Sequence, residues 1–340
     1  MVLRTGVGIW FSEPMSRVME LARRAEDWGY DYVWYPNHKL HRDLYVGLAA
    51  AAMATRRAQV GTFIADPYSM HPALVAAAVA TVDELSGGRA VLTLGTGGAN
   101  FKEVGLVRSR PAKTMEEAVT IIKRLFQGET VTFAGEIFHT KDAKLQFPVR
   151  KDLPVWIATR GDRILELAGR VADGVMIATY GTPPGVRHAL SLIKKGAEAG
   201  GRSLGDLTLV TRLDTSIGPS SKEARDAVKP MLAALLMGSY PDQGFIKHAG
   251  LDVPPALEEM MRAKNEARAF ASGHLVPDEF VDAFAWAGMP DEVARQIAAI
   301  VELGIPEICI LPMPPRGQPV EPIMQSFVEE VMPRVRRLVE

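Results

Sequence analysis

Four short apolar runs in the first hundred residues each end in polar or flexible residues. Asn37-His38 follows the second run, Ala65-Asp66 the third and Gly95-Thr96-Gly97-Gly98 the fourth. His38 suits proton transfer or hydrogen bonding. The glycine-rich segment after the fourth run can bring backbone N–H groups close to a cofactor ring or a phosphate. We call such a segment, directly after a predicted strand, the exit of that strand. Two simpler interpretations stay open at this point: a solvent-exposed loop histidine and an ordinary tight turn.

Two more polar exits follow predicted strands further along the chain. Thr159-Arg160-Gly161 precedes a helix, whose first backbone amides can hold a phosphate with help from the Arg160 guanidinium. Thr179-Tyr180-Gly181 is a similar exit from the next strand. Barrels commonly bind phosphate near their last strands, so this pair indicates a phosphate site. Ordinary turn chemistry with a helix cap is the alternative.

The residue types do not favour a metal site or a reactive thiol. His38 and His41 are three residues apart, with no carboxylate or third ligand nearby. Cys309 is the single cysteine, which excludes an internal disulfide and fits a reducing compartment. It lies in the apolar run Ile308–Leu311, so we interpret it as a buried structural thiol.

Composition narrows the class of protein. The 340 residues are 47% apolar and 23% charged, enough for a large core, and the formal net charge is −1. That balance gives no electrostatic attraction to nucleic acid or to anionic lipid. The longest alanine-rich stretch, Gly47–Ala54, is too short to span a bilayer, and the N-terminus shows no signal-peptide pattern. We therefore expect a cytoplasmic protein that acts on small molecules, without a nucleic-acid or membrane partner.

Strands alternate with amphipathic helical stretches along most of the chain, which predicts a parallel sheet. The predicted strands are Thr5–Phe11, Tyr32–Tyr35, Val60–Ile64, Ala90–Leu94, Pro154–Thr159, Gly174–Ala178, Leu207–Ile217 and Glu307–Leu311. Helices are predicted from Pro14 to just before Gly29 and at about 43–56, 72–85, 112–127, 162–172, 185–200, 291–303 and 320–338. Eight strands, each with a helix, favour an α/β fold of the closed (β/α)₈ TIM-barrel type over an open sheet.

Two stretches interrupt the alternation. Residues 129–150 read as a hairpin insertion with a turn at Gly135, and residues 220–285 read as a helical insertion that acts as a lid. Apart from these insertions, we expect residues 1–340 to form one barrel domain. In such barrels the chemistry gathers at the carboxyl ends of the strands, so the polar exits define a candidate active-site rim.

Several motifs together resemble the bacterial luciferase-like superfamily, and within it the F420-dependent methylenetetrahydromethanopterin reductases. The stretches that carry the resemblance are Ala25–Trp34, Asn37-His38, Asp66-Pro67-Tyr68, His71-Pro72, Ala80–Ala90, Ala172–Val175, Leu192–Glu198, Gly238-Ser239, Lys247-His248 and Pro290-Asp291-Glu292. The likeness covers nearly the whole chain, and Ala80–Ala90 is its most specific part.

The resemblance implies a barrel, usually dimeric, that binds the deazaflavin coenzyme F420, or alternatively flavin mononucleotide (FMN), at the carboxyl ends of the strands. Asn37 and His38 would then lie beside the ring as the catalytic residues. Phe63-Ile64-Ala65 match a bulge that contains a non-proline cis peptide in relatives, although the residues alone indicate only a core strand stopped by a proline. The remaining matched positions, for the cofactor tail and its phosphates, are Gly97, Gly98, Thr159, Arg160, Gly161, Thr179, Tyr180 and Gly181.

Two departures from the family pattern concern carboxylates. The methanopterin reductases carry a glutamate in the first strand where this chain has Gly8, and an acid after the fourth strand where it has Gly98. His38 and Glu13 are the remaining nearby candidates for proton transfer. We therefore predict an F420-dependent oxidoreductase that moves a hydride between the deazaflavin and a small organic substrate. An FMN-dependent luciferase-like monooxygenase and a non-catalytic flavin-binding barrel are the alternatives.

Overall fold

A computed structural model describes residues 2–10, 12–98 and 100–340. The strands are β1 Arg4–Gly8, β2 Tyr32–Pro36, β3 Gln59–Phe63, β4 Ala90–Leu94, β5 Val131–Ala134, β6 His139–Ala143, β7 Val155–Thr159, β8 Gly174–Ala178, β9 Thr208–Ile217, β10 Ala285–Gly288 and β11 Glu307–Pro312. The helices are α1 Met15–Trp28, α2 Leu44–Ala54, α3 Pro72–Ser86, α4 Pro111–Phe126, α5 Asp162–Val171, α6 Pro183–Ala199, α7 Ser221–Ser239, α8 Gly244–His248, α9 Pro255–Arg262, α10 Glu266–Ala271, α11 Asp278–Phe284, α12 Pro290–Val301, α13 Glu321–Ser326 and α14 Met332–Val339.

The sheet confirms the predicted barrel. Its strands follow the order β10-β9-β11-β1-β2-β3-β4-β7-β8, and β8 pairs in addition with β9, so that the sheet closes on itself. Its strands pair in parallel, for example with Val33 beside Val60 and Ile308 beside Thr211. The helices predicted up to 291–303 agree with the structure to within two residues at each end. The last predicted helix, 320–338, is divided into α13 and α14 by a π-helical turn over Phe327–Val331.

One predicted strand is too long, and one observed strand was not predicted. The first strand ends at Gly8, and Ile9 beyond it is still buried. The prediction was too long because an apolar run indicates burial and not strand pairing. Phe11, where that strand was predicted to end, lies outside the described residues. The sequence also gave no sign of β10. Its four residues are too few to show a two-residue period, and they pair with Asp214–Ile217 at the carboxyl end of β9.

The two interruptions of the alternation have regular structure. Strands β5 and β6 form an antiparallel pair, and the stretch from Ser221 to Phe284 contains α7 to α11. The boundaries of a hairpin insertion and of a lid stay predictions. Among the described residues, every helix is too short or too polar to cross a bilayer.

The chain divides into two compact units. One comprises the chain up to Val7 with Ile177–Ser191 and Val210–Glu340, and the other comprises Gly8–Met176 and Leu192–Leu209. In the first, Cys309 is fully buried, and burial raises the pKa of its thiol to about 12, which confirms the interpretation as an inert structural thiol.

The core of the second unit contains an aromatic cluster on neighbouring strands. The rings of Tyr32 and Trp34 stack with centroids 5.4 Å apart, and the Trp156 ring lies 5.4 Å from that of Trp34. Gly61 on β3 makes room for this cluster, because a Cβ there would collide with the Trp34 ring. The cluster thus brings side chains of β2 and β7 into contact, and Gly61 of β3 leaves the space for them.

A buried carboxylate on α1 holds the connection between α2 and β3. Glu26 is only 7% exposed, and its carboxylate accepts hydrogen bonds from the backbone N–H groups of Arg56, Arg57 and Ala58 at 2.5–3.0 Å. Burial alone would raise the pKa of this carboxyl, but the three backbone donors outweigh it and lower the pKa below its ordinary value of 4.5. The ionised carboxylate thus stabilises the strand entry.

We predict that Glu26→Gln lowers the free energy of unfolding by about 1–3 kcal/mol, because an amide N–H₂ would face buried N–H donors. The folded pKa is depressed, so this stabilisation is present above pH 4.5 and is lost as the pH falls through the folded pKa. Urea unfolding at pH 7 and at lower pH measures both effects. The matched control at pH 7 is Glu20→Gln on the same helix, whose partly exposed carboxylate pairs with Arg17 and Arg24 and should change the midpoint little. An equal midpoint for Glu26→Gln and the parent protein would contradict the assignment.

Candidate functional site

Backbone hydrogen bonds continue past the ends of β2, β3 and β4 and hold their exits side by side. The Asn37 N–H donates to the Phe63 carbonyl at 3.3 Å, and the Ala65 N–H donates to the Thr93 carbonyl at 3.0 Å. The Gly95 N–H in turn donates to the Ala65 carbonyl at 2.9 Å. Three of the predicted polar exits are therefore brought together within one unit, at the carboxyl ends of the strands.

The half-buried His38 is electrostatically unusual. Burial, followed by the nearby His41 and Lys39, lowers its pKa from 6.5 to about 4. The ring of His41 lies edge-on, with its centroid 5.8 Å from that of His38. His38 is consequently a neutral imidazole at pH 7, able to donate one hydrogen bond and to accept one proton or hydrogen bond, rather than an imidazolium acid.

The exit of β3 carries the backbone feature that the family resemblance implied. The peptide bond between Phe63 and Ile64 is cis, and neither residue is a proline. The Ile64 side chain is half-exposed and packs towards Gly95, where a Cβ would lie 2.9 Å from Ile64 Cγ2 and 3.2 Å from the Ala158 carbonyl oxygen. The β4 exit is therefore bare backbone at this point, because a larger residue would displace Ile64.

Asp66 is a functional candidate that the sequence analysis did not select. Its side chain is fully buried and accepts five hydrogen bonds. The donors are Asn37 Nδ2 at 3.1 Å, Lys39 Nζ, the Tyr68 N–H at 3.0 Å, the Ser69 N–H at 2.8 Å and Ser69 Oγ at 3.0 Å. An Asp followed two and three residues later by backbone donors is an Asx turn, and this local pattern could have drawn attention to it.

The glycines after β4 adopt conformations that other residues rarely take. Gly97 has φ 60° and Gly98 has φ 141°. A Cβ at Gly97 would lie 2.5 Å from Phe101 Cζ and 3.0 Å from Asp66 Cβ, so this turn packs directly on the Asp66 cluster. Arg108, which the sequence analysis also passed over, donates from Nη2 to the Gly97 carbonyl at 2.7 Å.

The exit of β7 leads directly into a helix. The Gly161 N–H donates to Thr159 Oγ1 at 3.1 Å, and Gly161 is the N-cap of α5 without a side chain to cap it. Arg160 lies between them and is half-buried. A helix start without a side-chain cap next to a guanidinium suits an anion, and the phosphate site stays a prediction.

The last predicted exit belongs to the other compact unit. Thr179 has φ 80° and donates its N–H to the Arg212 carbonyl at 3.3 Å, and the Gly181 N–H donates to the Ala283 carbonyl at 2.8 Å. The Tyr180 ring is buried, and its hydroxyl lies 3.5 Å from Nδ1 of His248. The N–H groups of Thr179 and Gly181 are thus engaged within this unit, and the assignment of Thr179, Tyr180 and Gly181 to a cofactor tail stays a prediction.

A sequence-family model described as luciferase-like monooxygenase matches residues 3–307 of the chain. The 5,10-methylenetetrahydromethanopterin reductase of Archaeoglobus fulgidus is 32% identical over 325 residues, which cover 92% of this chain and 93% of that protein. The F420-dependent glucose-6-phosphate dehydrogenase of Nakamurella multipartita is 29% identical over 343 residues, which cover 95% and 94% of the two chains.

The fold comparison agrees with the sequence comparisons. The solved structure of the coenzyme F420-dependent tetrahydromethanopterin reductase of Methanopyrus kandleri superposes with a TM-score of 0.86 at 25% identity. The match covers 98% of this chain and 100% of that structure.

We predict that the His38 imidazole titrates near pH 4 rather than near its ordinary 6.5, as followed by its ring resonances in NMR spectra recorded against pH. A folded pKa below the unfolded one also means that stability falls as the pH drops from 6.5 towards 4, because the unfolded chain then binds the extra proton. His38→Gln should remove that part of the pH dependence. Titration of the His38 ring near 6.5 would refute the neutral-imidazole assignment.

Proposed function

Because this chain belongs to the luciferase-like monooxygenase family, we propose that it is an F420-dependent oxidoreductase that transfers a hydride between the deazaflavin and a small organic substrate. The observation that carries this proposal is that the names of similar proteins state coenzyme F420 as their cofactor. Enzymes named for a pterin substrate and for a sugar phosphate both match over more than nine-tenths of the chain, and the matched glucose-6-phosphate dehydrogenase and methanopterin reductase structure are both F420-dependent. The substrates differ between them, so the comparisons support the cofactor and the reaction type but leave the substrate open.

The described residues fit a planar ring with a polar edge. Gly95 and Gly97 present backbone without side chains, and Ile64 offers an apolar, half-exposed surface at the end of β3. Asn37 and His38 supply an amide and a neutral imidazole at the neighbouring exit. A ring of this kind needs one apolar contact surface and a few fixed hydrogen-bonding groups at its edge, which this part of the unit provides.

When bound, the deazaflavin supplies a hydride donor or acceptor, so the task of the protein is orientation and electrostatics. We assign the Ile64 side chain to contact with one face of the ring, and Asn37 and His38 to its edge. The backbone of Ala65, Gly97 and Gly98 is assigned to close contact with the ring. The neutral His38 can take a proton from a hydroxyl group or donate a hydrogen bond from its N–H. Arg160 and the start of α5 after Gly161 are assigned to a phosphate of the cofactor tail.

An FMN-dependent monooxygenase is the second candidate, favoured by the description of the matched family. A non-catalytic flavin-binding barrel is the third, because glycines stand at positions 8 and 98, where the reductases carry acids. Oxygen-dependent turnover with FMN would support the first of these alternatives, and ligand binding without turnover would support the second.

We also propose that the protein works in the cytoplasm as a homodimer that pairs through α2 and α3. Helix α2 contains no charged residue, and α3 lies beside it. Val46 and Met53 share one exposed face of α2, and Leu74 and Leu85 share one exposed face of α3. An uncharged apolar face of this kind suits the same face of a second copy, since two-fold pairing needs a self-complementary surface.

The cofactor assignment predicts that the purified protein quenches the fluorescence of F420 in a saturable titration, while FMN at equal concentration competes weakly. Reduced F420 should then be reoxidised by an organic acceptor without oxygen consumption. The FMN titration is the matched control, because the two cofactors share ring size and differ in ring chemistry and tail. Tight FMN binding with oxygen uptake and no response to F420 would overturn the assignment.

The dimer assignment predicts that Val46→Asp with Met53→Asp converts the protein to a monomer, as measured by light scattering after size-exclusion chromatography. Burying two unpaired carboxylates would disfavour association strongly. The control pair Arg23→Asp with Arg24→Asp changes exposed residues of α1 and should leave the mass unchanged. A monomeric parent protein would contradict the proposal.

A further inference from the structure

The Asp66 carboxylate lies next to the candidate ring site and has no part in the chemistry proposed above. It follows the cis peptide by two residues, it is fully buried, and it is satisfied entirely by hydrogen bonds and one cation. A buried carboxylate is costly unless it is paired, so its retention here calls for a physical role.

The first consequence of this carboxylate concerns the side chain of Asn37. An ionised carboxylate only accepts hydrogen bonds, so the N–H₂ group of the amide must face Asp66, as Nδ2 does at 3.1 Å. The Asn37 backbone is fixed as well, through its N–H to the Phe63 carbonyl. With both ends held, Oδ1 is the remaining polar atom of this amide, and its direction is set by Asp66.

Lys39 pairs with the carboxylate and holds it in place. Its ammonium donates to the same oxygen of Asp66 and lies 4.9 Å from the centroid of the Phe101 ring, with only 10% of the side chain exposed. Phe101 in turn packs against Gly97, as does Asp66 itself. The ion pair therefore joins the exits of β2, β3 and β4 and is shielded from solvent.

We propose that Asp66, held by Lys39, is a positioning residue that orients the Asn37 amide so that Oδ1 accepts a hydrogen bond from a ring N–H of the cofactor. The proposal rests on the proposed function, because it assumes that a ring binds at these exits. It adds that the site selects a ring with an N–H donor at this edge. Asp66 makes this selection although it does not contact the ring.

The test is a double-mutant cycle on cofactor affinity, with F420 as the probe and fluorescence quenching as the readout. Asp66→Asn can donate as well as accept, so the Asn37 amide loses its obligatory orientation, and the dissociation constant should rise about tenfold. Asn37→Ala should weaken binding by a similar factor. In the Asn37→Ala background, Asp66→Asn should then have little further effect, because it acts through Asn37.

A matched control separates positioning from general destabilisation. Asp83 is another buried carboxylate of the same unit, paired with Arg150 and hydrogen-bonded to the Ala90 N–H at the amino end of β4. Asp83→Asn should lower the melting temperature but change F420 affinity by less than about twofold, because it lies away from the exits. The absorption spectrum of bound F420 should shift in Asp66→Asn and not in Asp83→Asn.

The inference is overturned if Asp66→Asn binds F420 like the parent protein, if Asp83→Asn weakens binding equally, or if the Asp66→Asn effect keeps its full size without the Asn37 amide. If Asp66→Asn does not fold, Lys39→Gln replaces it in the same cycle with the same expected coupling. Failure of the parent protein to bind F420 would count against the proposed function instead. In that case the same cycle is run with FMN and decides the inference, because both rings carry an N–H at the pyrimidine edge. If neither ring binds, the proposed function and the inference are both overturned.

Discussion

The continued pairing of β2, β3 and β4 beyond their own ends is the constraint on which the candidate site depends. Three backbone hydrogen bonds, from Asn37 to Phe63, from Ala65 to Thr93 and from Gly95 to Ala65, keep neighbouring exits in register after regular strand geometry has ended. The buried pair of Asp66 and Lys39 adds a side-chain connection across the same exits. Because each of these groups is fixed by its neighbours, the short polar segments can present an amide and an imidazole without long, mobile loops.

The charges nearest His38 are paired, and the Arg108 guanidinium adds a positive charge next to Gly97. His38 is an uncharged imidazole at pH 7, and the carboxylate of Asp66 is matched by Lys39. The resemblance to the reductases implies acids at two positions where this chain has Gly8 and Gly98. Hydride transfer moves a proton and two electrons as one unit and does not need a strong acid next to the ring. A neutral base such as His38 remains available to take a proton from a hydroxyl group.

Long periodic elements could be predicted from the sequence, while side-chain networks could not. The barrel followed from eight strand–helix steps, and the helix ends agreed closely because signals such as Pro72 at the start of α3 and Gly29 after α1 are local. The cis bond at Phe63-Ile64 came from family resemblance alone. The contacts of Asp66 with Asn37 and Lys39, and of Arg108 with Gly97, span 11 to 29 residues, and no local period reports such contacts. Only the Asx turn of Asp66 was a local signal. The low pKa of His38 likewise depends on burial that a loop motif does not reveal.

A crystal structure of the protein soaked with F420 tests the central claim most directly. The account predicts the ring at the carboxyl ends of β2, β3 and β4, with one face on the Ile64 side chain and an edge N–H within hydrogen-bond distance of Asn37 Oδ1. A ring bound at the amino ends of the strands, or one whose edge faces away from Asn37 and His38, would contradict it.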